Sequence, residues 1–90
     1  MDLYNVVFKP SVEKDLRRLP ASISSRIMGR IQGLVSEPFP PGSIKLSGAE
    51  KLYRLRVGDY RIIYEVDIAA RVVKFHYVRH RRDAYRKLPR

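Results

Sequence analysis

The sequence predicts an α+β fold: one N-terminal strand, an α-helical hairpin, and a small antiparallel sheet formed by the second half, with a short C-terminal helix or tail. Three observations carry this. Apolar residues recur at helical spacing between positions 11 and 36. The runs LYRLRV (52–57), YRIIYEVD (60–67) and RVVKFHYVR (71–79) are rich in β-branched and aromatic residues and separated by short breaks. Between the two halves lies EPFPPGS (37–43), whose three prolines and one glycine suit only a connecting loop.

In chain order, YNVVFK (4–9) reads as a short strand, and Pro10 turns the chain. Val12, Leu16 and Leu19 then lie at i, i+4 and i+7, which makes a short amphipathic helix that Pro20 ends. A second helix carries Ile23, Ile27, Ile31 and Leu34 as one apolar stripe. Both stripes need an apolar surface, and the sheet of the second half supplies it. The basic residues Lys14, Arg17, Arg18, Arg26 and Arg30 fall on the polar side as a solvated outer face. Residues 44–51, IKLSGAEK, hold Lys45 and Lys51 around a Ser47-Gly48 turn and read as a flexible flap. Gly58-Asp59 and Asp67–Ala70 join the three later strands into a meander, with RIIYEV at its centre because it is apolar on both faces apart from Arg61 and Glu65. The polar tail after Arg79 is expected to turn or form a short helix around Asp83–Arg86.

A chain of 90 residues makes one domain, 1–90, with one modest core. No apolar run reaches the ~18 residues of a membrane span, and MDLYNVVFK lacks the pattern of a signal peptide, so an intracellular, cytoplasmic protein with no membrane partner is expected. With no cysteine and two histidines, disulfides, thiol catalysis and a complete histidine or thiolate metal site are excluded, and no cofactor is expected. The net charge of +10 is uneven: six basic and four acidic residues in 1–40 give +2, and thirteen basic and five acidic in 41–90 give +8. Solubility alone does not explain this asymmetry, whereas a polyanion, nucleic acid before anionic membrane, does.

The chemistry concentrates between Arg54 and Tyr85. Alternation puts Arg54 and Arg56 on one face of their strand, and the tight turn brings Arg61 within one or two residue pairs of them. Either these arginines form a solvated face whose stems cover apolar surface, or they grip phosphate in the bidentate manner that guanidinium allows. The run Arg79-His80-Arg81-Arg82-Asp83-Ala84-Tyr85 adds cations, an imidazole and a phenol. Tyr85 serves as a phenolate favoured by neighbouring cations, as a base-stacking ring, or as an anchor for the C-terminal turn. His80 is an acid–base group or a passive donor, and His76, inside a strand, is structural.

The pieces GDYRIIYEV and HRRDAY, with the opening FKPSVEKDLRRLP, resemble the RelE/ParE superfamily of toxin–antitoxin toxins, in its RelE-like branch. The match runs through essentially the whole chain in the same order of elements. The resemblance implies a curved sheet with the active surface in its concavity. It also implies a ribosome-dependent endoribonuclease that cuts messenger RNA in the ribosomal A site and is silenced by a cognate antitoxin in a hetero-oligomer. In that activity a ribose 2′-hydroxyl attacks the adjacent phosphate and leaves a 2′,3′-cyclic phosphate. Carried over, Arg61 stabilises the phosphate, Arg81 serves the leaving group, and Tyr85 is the catalytic tyrosine. Lys45, Lys51, Arg54, Arg56, His80 and Arg82 complete the RNA-binding set. Arg54 and Arg56 stand where relatives have lysines, and an arginine cannot act as a base. The base is then Tyr85, His80, a ribosomal group or no dedicated residue. The alternatives are a ParE-like inhibitor of DNA gyrase and a non-catalytic RNA-binding module, and the combination of Arg61, Arg81 and Tyr85 favours the nuclease over both.

Overall fold

The computed structural model describes residues 3–46 and 51–80. Strand β1 spans Asn5–Phe8, helix α1 Pro10–Arg17, α2 Ala21–Ser36, β2 Ile44–Lys45, β3 Leu52–Val57, β4 Tyr60–Asp67 and β5 Val72–His80. The five strands form one sheet in the order β1-β5-β4-β3-β2, so β4 is central as its two apolar faces require. β1 pairs with β5 in parallel, and the other pairings are antiparallel. The fold is thus the expected α+β arrangement of helices on a sheet. Within the stretch expected to form a flap, residues 44–46 are instead held to the sheet: Ile44 and Lys45 pair with Arg54 and Tyr53, and the Leu46 amide donates to the Leu52 carbonyl at 2.9 Å. Two residues rich in neither turn signal nor periodicity can still add an edge strand once β3 offers a template. The Ser47-Gly48 turn, the C-terminal helix or turn, and Arg81, Arg82 and Tyr85 lie outside the described residues.

Helix α1 begins with Pro10, whose missing N–H is harmless in a first turn, and it carries Glu13 near its start and Lys14 and Arg17 near its end, matching the helix dipole. At 8 residues it is too short to persist alone. Strand β5 holds it. β1 stops at Phe8, the Lys9 amide donates to the Phe75 carbonyl at 3.1 Å, and from there α1 side chains take over the edge of β5. Ser11 Oγ donates to the His76 carbonyl at 2.8 Å, and the Asp15 carboxylate accepts the Val78 N–H at 3.1 Å.

One sheet face packs on the helices. Val12, Ile27, Ile31 and Leu34 meet Leu55, Val57, Ile62, Tyr64, Val66, Val73, Phe75 and Val78 in a single core. Aromatic rings cross this face from Phe8 through Phe75, Tyr64 and Tyr53 to Phe39, with centroids 4.9–5.9 Å apart. The Tyr64 hydroxyl donates to the Pro38 carbonyl at 2.8 Å and pins the proline-rich loop to the central strand. Burial pushes the Tyr64 pKa up to about 12, so the hydroxyl remains a donor throughout the neutral range. Tyr64→Phe, which orphans a buried carbonyl, is expected to lower the unfolding free energy by about 1–2 kcal/mol, measured by urea denaturation.

The opposite face holds Leu52, Arg54 and Arg56 of β3, Arg61, Ile63 and Glu65 of β4, and Lys74, Tyr77 and Arg79 of β5, because directly paired residues share a face. A β-bulge makes this set possible. Tyr64 pairs with Phe75 but Ile63 with Tyr77, so His76 is the extra residue and every β5 side chain after it changes face.

Candidate functional site

Arg56 pairs with Arg61 and Arg61 with Arg79, which lines up one arginine from each of three adjacent strands across the sheet. The next row is Arg54, Ile63 and Tyr77. The turn fixes the first pairing. Gly58 has φ +59, the conformation required at the first central position of a two-residue hairpin turn, and Val57 therefore closes directly on Tyr60. Like charges at directly opposed positions destabilise a sheet unless counter-charges sit beside them, and the Asp15 carboxylate supplies one at Arg79. Guanidinium forks match phosphate oxygens in pairs and stay protonated at any physiological pH.

The members of the row are not equivalent. Arg61 is 2% exposed, whereas Arg54 is half-buried and Arg56 exposed. Keeping a guanidinium buried is costly, and packing alone seldom retains one. Arg79 is held from the side, its guanidinium bonded to the Asp15 carboxylate and lying over the Tyr77 ring at 4.9 Å from the centroid. The site therefore has a buried centre, one flank held by Asp15 and one exposed flank.

Three further residues expected in the site, Lys45, Lys51 and His80, fall elsewhere. Lys45 pairs with Tyr53 on the helix-bearing face and is exposed. Lys51 forms an ion pair with Asp67 at 3.6 Å, at the far end of β4. His80 pairs with Tyr60, an edge-on ring contact 5.3 Å between centroids, and alternation puts it on the face opposite Arg61 and Arg79. Among the described residues the site thus gathers Arg54, Arg56 and Arg61 and leaves Lys45, Lys51 and His80 apart. Sequence reasoning counted Arg79 among the cations of the last run but did not place it beside Arg61, and it missed its holder Asp15. The first depends on the bulge, and the second on a contact 64 positions away in sequence.

His76 has the structural role expected of it. Its Nε2 lies 3.2 Å from Glu65 Oε1, and its carbonyl caps the Ser11 hydroxyl. Burial pushes its pKa below the ordinary 6.5, Lys9 and Lys74 push the same way, and the Glu65 hydrogen bond opposes them. The unfolded chain consequently takes up a proton first on acidification. Stability is full above about pH 6.5 and is lost as pH falls through the folded-state value. A plot of unfolding free energy between about pH 7 and pH 5 is expected to slope downward, and His76→Gln to flatten it.

Similarity to known proteins agrees with this architecture. The model of the ParE toxin of type II toxin–antitoxin systems, parDE, matches residues 6–85. The chain belongs to this family of type II toxin–antitoxin toxins. Its similarity runs specifically to RelE members. It is 30% identical to the putative toxin RelE1 of Methanocaldococcus jannaschii over 92% of this chain and 96% of that protein. It is also 30% identical to toxin RelE of Mycobacterium tuberculosis, over 96% of this chain and 90% of that protein. The fold superposes on the archaeal RelE–RelB complex from Pyrococcus horikoshii OT3 with TM-score 0.79 and 36% identity, covering 90% of this chain and 97% of that one. Among the described residues no helix is long and apolar enough to cross a membrane.

Proposed function

We propose that this toxin is a ribosome-dependent endoribonuclease that cuts messenger RNA in the ribosomal A site and thereby stops translation. The observation that carries the reading is the buried Arg61 between Arg56 and Arg79, an arginine row of the kind that holds a phosphate as its charge grows. In the reaction the ribose 2′-oxygen bonds to phosphorus, the bond from phosphorus to the 5′-oxygen breaks, and a 2′,3′-cyclic phosphate and a 5′-hydroxyl result. Arg61 stabilises the pentavalent phosphorane, with Arg54 and Arg56 binding the flanking backbone. Arg81 neutralises charge on the leaving 5′-oxygen, which takes its proton from water to become the hydroxyl. Since His80 lies on the other face, Tyr85 or a ribosomal group takes the 2′-hydroxyl proton. Most of the rate gain comes from positioning and electrostatics.

A cognate antitoxin silences the toxin in the cell, a reading supported by the RelE–RelB complexes of P. horikoshii and M. jannaschii, whose RelE chains this one resembles. Its acidic segment covers the basic surface or pairs with a free strand edge. The name of the matching family favours a second reading, a ParE-like inhibitor of gyrase. Primer extension on a defined messenger separates the two. Cuts that appear only with ribosomes and vanish in Arg61→Ala, Arg81→Ala and Tyr85→Phe support the nuclease. An intact messenger together with inhibited gyrase supercoiling rejects it.

A further inference from the structure

Among the described residues β2 pairs with β3 only at Tyr53 and Arg54, which leaves Leu55–Val57 as the sheet edge there, and α2 runs beside it. Between them opens a cleft of about 380 Å³ lined by Arg26, Gly29, Arg30, Arg56, Val57 and Gly58. Arg26 and Arg30 are exposed and stand about 6 Å apart along the helix, four residues at 1.5 Å each. The Arg26 guanidinium comes within 3.8 Å of where a Cβ on Gly58 would stand. Helix α2 contains no acidic residue, and among the described residues no carboxylate lies within ion-pair distance of Arg26, Arg30 or Arg56. Asp59 borders a neighbouring cavity with Arg26 but makes no ion pair with it. Three such guanidinium groups around one cleft repel each other until an anion arrives.

We infer that this cleft is a second phosphate-binding site, one that holds the backbone of single-stranded RNA as it passes over the β3 edge from the arginine row. The inference rests on reading that row as an RNA site. Arg56 connects the two, being paired with Arg61 in the sheet and lining the cleft with Arg26 and Arg30. The lining suits a phosphate chain, because among the described residues it sets three guanidinium groups around a single large apolar side chain, Val57. Gly29 has nothing within 4 Å of its Cβ position, which lets a bulky sugar–phosphate approach the helix backbone. On this view Arg26 and Arg30 do more than solvate an outer face.

The test is fluorescence anisotropy of a labelled, unstructured single-stranded RNA with the full chain, titrated with KCl in the absence of ribosomes. For R26Q/R30Q the slope of log affinity against log salt is expected to shrink by about 1.4, that is about 0.7 for each of two lost phosphate contacts. Between 50 and 200 mM salt, wild type then loses about sevenfold more affinity than the variant. R26K/R30K, which keeps both charges, is expected to retain the wild-type slope. An unchanged slope in R26Q/R30Q overturns the inference. So does a variant that binds RNA normally but loses affinity for poly-glutamate, which would make the cleft a protein-docking surface. Because no ribosome is present, a toxin that cuts no messenger but shows the reduced slope contradicts only the nuclease reading.

Discussion

Arg61→Gln is expected to lower ribosome-dependent cleavage by about 10²–10³-fold, the loss typical when one preorganised donor to a developing negative charge is removed. The effect should appear in kcat. Arg61 sits on the central strand, 2% exposed, where water cannot replace the lost donors. Arg56, its exposed cross-strand partner, makes a useful contrast. Arg56→Gln is expected to raise KM and reduce the salt dependence of binding while leaving kcat nearly unchanged, since an exposed cation attracts backbone phosphate without being poised at the reacting one. Single-turnover cleavage on programmed ribosomes separates the two. Arg61→Lys keeps the charge but not the fork, and it is expected to fall between Arg61→Gln and wild type.

The second large effect is on stability. Asp15→Ala is expected to lower the unfolding free energy by about 2–4 kcal/mol, because it strands the Val78 N–H and the Arg79 guanidinium together. Asp15 and Arg79 are 13% and 21% exposed, so solvent replaces little of what is lost. For a domain of this size the change corresponds to a Tm about 10–20 °C lower. Asp15→Asn keeps an acceptor for Val78 while removing the charge that holds Arg79, and about half the loss is expected. Thermal unfolding followed by circular dichroism measures both. The carboxylate matters this much because α1 has two turns and is attached to β5 chiefly by Asp15 and Ser11.

Much of this arrangement is legible in the chain itself. Three prolines and a glycine in 37–43 divide helical from strand periodicity, and the apolar stripe of Ile23, Ile27, Ile31 and Leu34 is the stripe that packs. The arginine cluster on β3 and β4 follows from the two-residue Gly58-Asp59 turn, which leaves Arg56 opposite Arg61. Past that point local rules give out. From the Asp67–Val72 pairing, unbroken counting sets Arg61 against Val78 and turns Arg79 toward the helices. One extra residue at His76 reverses this, and nothing in KFHYV announces a bulge. His80 moves for the same reason, to the helix side with Tyr60. The parallel pairing of β1 with β5 is equally hidden, since it joins residues more than 60 positions apart with no turn to set the register.

The most direct measurement of the central claim is the chemistry of the cut end. Messenger recovered from ribosomes stalled with wild-type toxin should carry a 2′,3′-cyclic phosphate upstream of the cut and a 5′-hydroxyl downstream, both absent with Arg61→Gln. An intact messenger, or fragments ending in a 3′-hydroxyl and a 5′-phosphate, would contradict attack by the ribose hydroxyl at this arginine row.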